Sequence, residues 1–271
     1  AWNMLGSGDY GFVAAHQAFP RAKAAARRAL ELDPFLAEAW NALGWATTVY
    51  EWDAREGERN YRRAIEINPG YAPAHHWLSM NLTLRKLWTA ALQQISVARE
   101  LDPLSPIIHC DNAWILNRAR RHEGALESCR TALELDPNFA VAHWNRGQAL
   151  RGLGRIEEAV EAFSCAAGLD DRNPVFLAAL GHAHAAAGHT SAARRLLGRL
   201  QDTARTGYVP PHAMVILHIG LGEHDRALDW LEKALAARTD FMVEAPTDPI
   251  LDPIRGSPRF EELVRQVGFG G

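Results

Sequence analysis

The hexapeptide Ala-Leu-Glu-Leu-Asp-Pro occurs at Ala29 to Pro34 and again at Ala132 to Pro137, 103 residues apart. That separation is close to three times 34, and the intervening sequence supplies the missing beats as Ile65-Glu66-Ile67-Asn68-Pro69 and Arg99-Glu100-Leu101-Asp102-Pro103. After the second copy comes Gly168-Leu169-Asp170-Asp171, so the Asp or Asn falls at 33, 68, 102, 136 and 170, in steps of 35, 34, 34 and 34. A period this short confines the chain to stacked architectures, because one such unit cannot bury its apolar face alone and must cover it with a neighbour.

Each unit reads as two helices. Between Ala140 and Ala166, apolar or small residues recur at three- and four-residue intervals on either side of Gly152-Leu153-Gly154, so one helix stops at the glycines and a second begins. Gly147, Ala159 and Ala166 are placed where two helix backbones approach closely, and Phe163 fills the wider gap between them. The Asp-Pro then ends the second helix, since proline lacks the amide proton and disfavours a helical residue before it.

Early Trp, Leu and Gly, an Ala in the second helix, then an aromatic, Ala and Pro at this pitch resemble the tetratricopeptide repeat. The pattern stands as Trp40, Leu43, Gly44, Tyr61, Ala64 and Pro69 in one unit, and recurs through Gly147, Ala159, Phe163 and Ala166 to Ala227, Leu231 and Ala234. The resemblance implies an all-α, right-handed α-solenoid of about six helix pairs with a C-terminal capping helix. Unit limits fall near 1–36, 37–71, 72–105, 106–139, 140–173, 174–207 and 208–237, with 238–271 as the capping segment. Gly57 departs from the close-packing Ala, Asn112 and Arg146 take a slot usually held by Leu, and Asp171 replaces a Pro. The first unit is irregular, with 16 residues from Gly6 to Ala22 against 12 from Gly147 to Ala159, as a loop insertion near Gly8 or Gly11 would produce. Beyond Ala237 the period stops. Ser257-Pro258 then opens a last helix whose Phe260, Leu263, Val264 and Val267 form one apolar stripe, suited to covering the exposed end of the stack.

Composition narrows the function. A chain 48% hydrophobic and 23% charged is not disordered, and its net charge of −3 provides no bulk attraction to nucleic acid or to anionic lipid. No apolar run approaches the roughly 18 residues of a membrane span. Cys110, Cys129 and Cys165 lie far apart without CxxC spacing and read as free thiols. The start at Ala1-Trp2-Asn3 reads as a cut from a longer protein. The compartment expected is the cytoplasm, or the periplasm if a membrane span precedes this segment.

In the resembling repeats the first helix of each pair forms the inner wall of a groove. Carried onto this sequence, the wall holds Trp45, Trp114 and Trp144, the histidines His76, His182 and His212, then Met80 and Cys110, and the polar Asn41, Asn117, Gln148 and Arg151. Aromatic, His, Met and Arg side chains offer large contact area with few hydrogen-bonding demands, as in recognition hot spots. The alternative for each Trp is packing between units. The Lys/Asn pattern with which some tetratricopeptide domains clamp a C-terminal carboxylate is missing from these positions.

Other chemistry is not supported. His75-His76 and His182-Ala183-His184 lack the i, i+4 spacing of a two-ligand helix face, so no metal is expected. The basic stretch Asn117 to His122 and the cluster Arg194, Arg195, Arg199 read as solvated helix ends rather than phosphate contacts. No nucleophile or phosphate-loop motif occurs, so catalytic residues and cofactors are expected to be none. Tyr50-Glu51-Trp52-Asp53, Ala74-His75-His76-Trp77 and Leu101 to Pro106 resemble arrays that form the C-terminal half of bacterial regulators. Their N-terminal halves are winged-helix domains, class III adenylate cyclases or serine/threonine kinases. The resemblance implies a scaffold or sensing module that binds a protein or peptide partner and drives a tethered output. Alternatives are a self-associating spacer, or the accessory part of an enzyme whose catalytic domain lies outside this chain.

Overall fold

The structure is a computed structural model that describes residues 13–268. The expected loop insertion near Gly8 or Gly11 lies outside the described residues. Helix α1 (Ala15–Leu32) shows why the repeated hexapeptide recurs. The Asp33 amide closes the last turn on the Ala29 carbonyl at 2.9 Å, and the Asp33 carboxylate then accepts from the amide of Phe35 at 2.9 Å. Asn68 and Asp136 do the same for the amides of Gly70 at 3.1 Å and Asn138 at 3.0 Å. The aspartate thus builds an Asx turn and the proline behind it bars further helix.

A second lock repeats with it. Six residues past each proline, a ring nitrogen meets that proline's carbonyl: Trp40 with Pro34 at 2.9 Å, His75 with Pro69 at 3.1 Å, His109 with Pro103 and His143 with Pro137 at 3.0 Å. These rings hold one unit at a constant angle to the next, a role that the sequence reading missed although their numbers step by about 34.

Six full pairs follow: α2 (Ala37–Tyr50) with α3 (Ala54–Ile67), α4 (Ala72–Leu84) with α5 (Trp88–Leu101), and α6 (Pro106–Arg118) with α7 (His122–Leu135). Then come α8 (Ala140–Gly152) with α9 (Ile156–Leu169), α10 (Pro174–Ala186) with α11 (Thr190–Thr206), and α12 (Pro211–Gly220) with α13 (His224–Ala236). Close approach within a pair requires small residues. A Cβ on Gly147 would stand 2.7 Å from the Phe163 ring, and one on Gly44 2.6 Å from Tyr61. Ala91, Ala125, Ala159, Ala193 and Ala227 occupy the matching slot of the second helices with no exposure at all. Gly57 departs from alanine for a visible reason: the Thr48 hydroxyl lies 2.0 Å from where its Cβ would be. That hydroxyl donates to the Gly44 carbonyl and accepts from Asn81, both at 2.9 Å.

The turn inside each pair needs one left-handed residue, found at Trp52, Lys86, Arg120, Gly154, Gly188 and Gly222. Successive first helices pack on one another and so form the concave wall. The second helices carry exposed i, i+3 and i, i+4 pairs such as Arg62 with Glu58 and Arg155 with Glu158, each contributing little to stability. After α13 come a single turn, α14 (Phe241–Glu244), a 3-10 turn at Pro249–Ile254, and α15 (Pro258–Val267). Helix α15 buries Phe260, Leu263 and Val267, and its Arg259 reaches Asp229 at 2.6 Å and Glu232 at 2.7 Å on α13. It covers the end of the stack. The segment between α13 and α15 packs on α12 and α13 and reaches the concave side, where its acids meet Arg118 and Arg120. Among the described residues no helix is long and apolar enough to cross a membrane.

Candidate interaction groove

The chain enters the groove because α13 ends differently from the other second helices. Arg238 is left-handed at φ 49, and its amide bonds to Leu235 at 3.0 Å while that of Thr239 bonds to Ala234 at 3.1 Å. Gly222 and Glu223 form the same pair of bonds at the turn inside the last unit, both at 2.9 Å. An exit of this kind reverses the chain instead of passing it outward to a next unit. The Arg238 Nε also donates to the Tyr50 carbonyl at 3.1 Å, and its guanidinium lies 4.1 Å from the Trp52 ring centre, so the exit of the last pair is tied to the turn inside the first full pair.

The entering segment is organised by its own side chains. Asp240 accepts from the Phe241 amide at 3.0 Å and Asp248 from the Ile250 amide at 2.9 Å. Arg255 donates to the carbonyls of Ala245, Pro246 and Asp248. Phe241, Met242, Val243, Ala245, Ile250, Leu251 and Ile254 are all buried.

Against this segment the wall presents arginines. Arg118 lies 3.6 Å over the Trp114 ring, is ion-paired to Glu244, and stands 3.5 Å from Asp248; its side chain is 2% exposed. Arg120 takes both oxygens of Asp252 at 2.8 and 2.6 Å. Within the basic stretch Asn117 to His122, Arg120 and Arg121 are exposed at the helix end as the sequence reading expected, but Arg118 is buried, which corrects that reading at this residue. The alternate arginines of the stretch hold the acids of a segment more than 120 residues away in sequence, a pairing that local spacing cannot announce.

The wall residues named from the sequence fall into three settings. Trp144, Gln148, Arg151 and His212 face the C-terminal segment, Trp114 lies beneath the Arg118 that holds it, and His182 lies beside Arg151. Trp144, Gln148 and His212 line a small cavity there with Phe241, Glu244 and Asp248. His212 stacks on Phe241 at 4.8 Å, and burial pushes its pKa down to about 4. His182, buried beside Arg151, is pushed down to about 3. Burial lowers Arg151 as well, while Asp248 and Asp252 act to raise it. Both imidazoles are therefore neutral at pH 7.

Nearer the start of the array, Asn41, Trp45, His76 and Met80 are buried. Trp45 packs on Trp77 at 4.5 Å, and His76 is hydrogen-bonded to Asp111 of the next first helix. Cys110 and Asn117 serve the packing between units. Cys110 has no exposure, lies with Ala132 and Ala142, and has its thiol pKa pushed up by burial. Asn117 donates to the Asn145 carbonyl at 3.1 Å. Among the described residues no group of three or more His, Cys, Asp or Glu could hold a metal ion.

Repeated helical hairpins around a concave wall define a helical-repeat solenoid. Residues 110–174 match the family model described as tetratricopeptide repeat. These residues are thus similar to tetratricopeptide repeats, and the helix pairs on either side share their fold. Comparison with curated proteins finds no match. Among solved structures, a chain of the APC/C hetero-tetramer Cut9–Hcn1 is similar at 14% identity and a TM-score of 0.64, covering 92% of this chain and 46% of that one. Pseudomonas aeruginosa PilF is similar at 17% identity and a TM-score of 0.54, covering 85% and 97%. MamA from Desulfovibrio magneticus RS-1 is similar at 15% and 0.50, covering 63% and 96%. At these identities the likeness is one of fold.

Proposed function

We propose that the chain is a protein-interaction scaffold that binds a partner segment along the concave wall of its first helices, with Trp114, Trp144, Gln148, Arg151, His182 and His212 as the principal contacts. The observation carrying this reading is that the wall accepts an irregular segment in cis, with carboxylates on Arg118 and Arg120 and an aromatic ring on His212. A surface of stacked aromatics and arginines is suited to such recognition. Photo-crosslinking side chains at Gln148 and His182, compared with one at Glu161 on the outer face of α9, test it in native cells. Adducts with a partner are expected from the two wall positions, and adducts from Glu161 alone would move the site to the outer face.

The array also serves, on this proposal, as the regulatory half of a larger bacterial protein. Its support is the resemblance of Tyr50 to Asp53 and of Leu101 to Pro106. A self-associating spacer is the competing role, and sedimentation velocity over a hundredfold range of concentration separates it from a monomer that awaits a partner.

A further inference from the structure

We infer that the partner segment is acidic and built like Phe241 to Asp252, with an aromatic anchor followed by carboxylates three, seven and eleven residues on, and that it binds by exchange with the chain's own segment. The inference rests on the concave wall being the binding site, as proposed above.

Charge carries the first part of the argument. Arg118 and Arg120 each hold carboxylates of the cis segment, and Arg151 lies in the field of Asp248 and Asp252. Glu244, Asp248 and Asp252 recur every four residues, which suits a row of guanidinium groups better than a random acidic stretch would. Phe241 supplies the anchor, stacked on the neutral His212.

The second part is what the cis segment leaves unused. The Trp144 Nε1, the His212 Nδ1, and the Nε atoms of Arg118 and Arg151 are buried without a hydrogen-bond partner. Orphaned buried polar atoms are costly, so a segment that offers hydrogen-bond partners at these points binds this wall more tightly than the resident one. The third part is mechanical. Both ends of the segment are anchored outside its contacts with Arg118 and Arg120, at the Arg238 latch after α13 on one side and on the other by α15, whose Arg259 grips Asp229 and Glu232. The segment can therefore leave the wall as a loop while α15 keeps its hold on α13.

The test uses the full chain and a fluorescent peptide copying residues 238–256, read by anisotropy. A resident segment competes at high effective concentration, so the wild type should bind the peptide weakly. Arg255→Ala, which removes the internal support of the segment without touching the wall, should bind it about tenfold more tightly. Adding Arg118→Gln should reverse that gain, and a peptide with Gln and Asn in place of its Glu and Asp residues should bind about tenfold more weakly than the acidic one. Equal binding of the neutral peptide overturns the acidic assignment and leaves the groove reading intact. Binding insensitive to Arg118→Gln places the peptide elsewhere and removes both. If Arg255→Ala loses its helical signal, hydrogen exchange of the wild type decides: excess peptide should speed exchange at the amides of 241–254. Unchanged protection there, or no binding by a folded Arg255→Ala chain, overturns the exchange.

Discussion

Two kinds of helix exit divide this molecule. Helices α1, α3, α5, α7 and α9 end on Asp33, Asn68, Asp102, Asp136 and Asp170 with φ between −138 and −143, an extended residue that leads the chain outward to the next pair. Helix α13 ends on Arg238 with φ 49 and turns the chain back into the groove. The difference is one residue's backbone conformation, yet it decides whether a solenoid continues or fills its own concave side. Asx turns stabilise the first kind, while the second borrows the turn normally found inside a pair and is latched by Tyr50 and Trp52.

The comparison breaks most severely at Arg118. Arg118→Ala removes a buried guanidinium that faces the buried Asp248 and pairs with Glu244, so the full chain should lose about 3–5 kcal/mol in urea denaturation. A loss under about 1 kcal/mol would mean that the segment is held by its apolar residues alone. Acid should weaken the same region. His182 and His212 have folded pKa values pushed down to about 3 and about 4, from an ordinary value of 6.5. Their contribution is complete above pH 6.5 and falls as pH drops toward the folded values, because the unfolded chain binds protons that the buried rings refuse. The slope is at most about 1.4 kcal/mol per pH unit for each ring. Melting temperatures at pH 7, 6 and 5 should decline, and less steeply in His212→Gln; parallel slopes would contradict its burial.

Smaller effects sharpen the contrast between exits. Asp136→Ala removes one Asx bond from the regular kind and should cost about 1 kcal/mol, with faster hydrogen exchange confined to the turn after α7. The smallest test compares two left-handed residues. Lys86, exposed at φ 59, should gain about 0.5–1 kcal/mol on replacement by Gly, because the conformation no longer opposes a side chain. Arg238→Gly should instead lose stability, since the latch to Tyr50 and Trp52 outweighs the same relief. A common sign for the two would deny Arg238 its role as a latch.

The period of about 34 alone implied helical hairpins in a stack, because Asp-Pro, the buried Ala slot and the Gly beneath an aromatic ring all act between neighbours in sequence or between adjacent units. Gly147 under Phe163 could be read directly, as could the amphipathic α15, whose stripe is written at helical spacing. The positions of Trp144, Gln148 and His212 on a common wall were also legible from the resembling repeat, but their burial was not. The break in the period after Ala237 was visible; the destination of the chain beyond it was not. Arg118 and Glu244 are 126 residues apart, and no local pattern marks them as partners. Only the curvature accumulated over six pairs brings the last turn opposite Trp52 and Arg120, so tertiary structure alone decided that the groove would be filled by the chain's own acids.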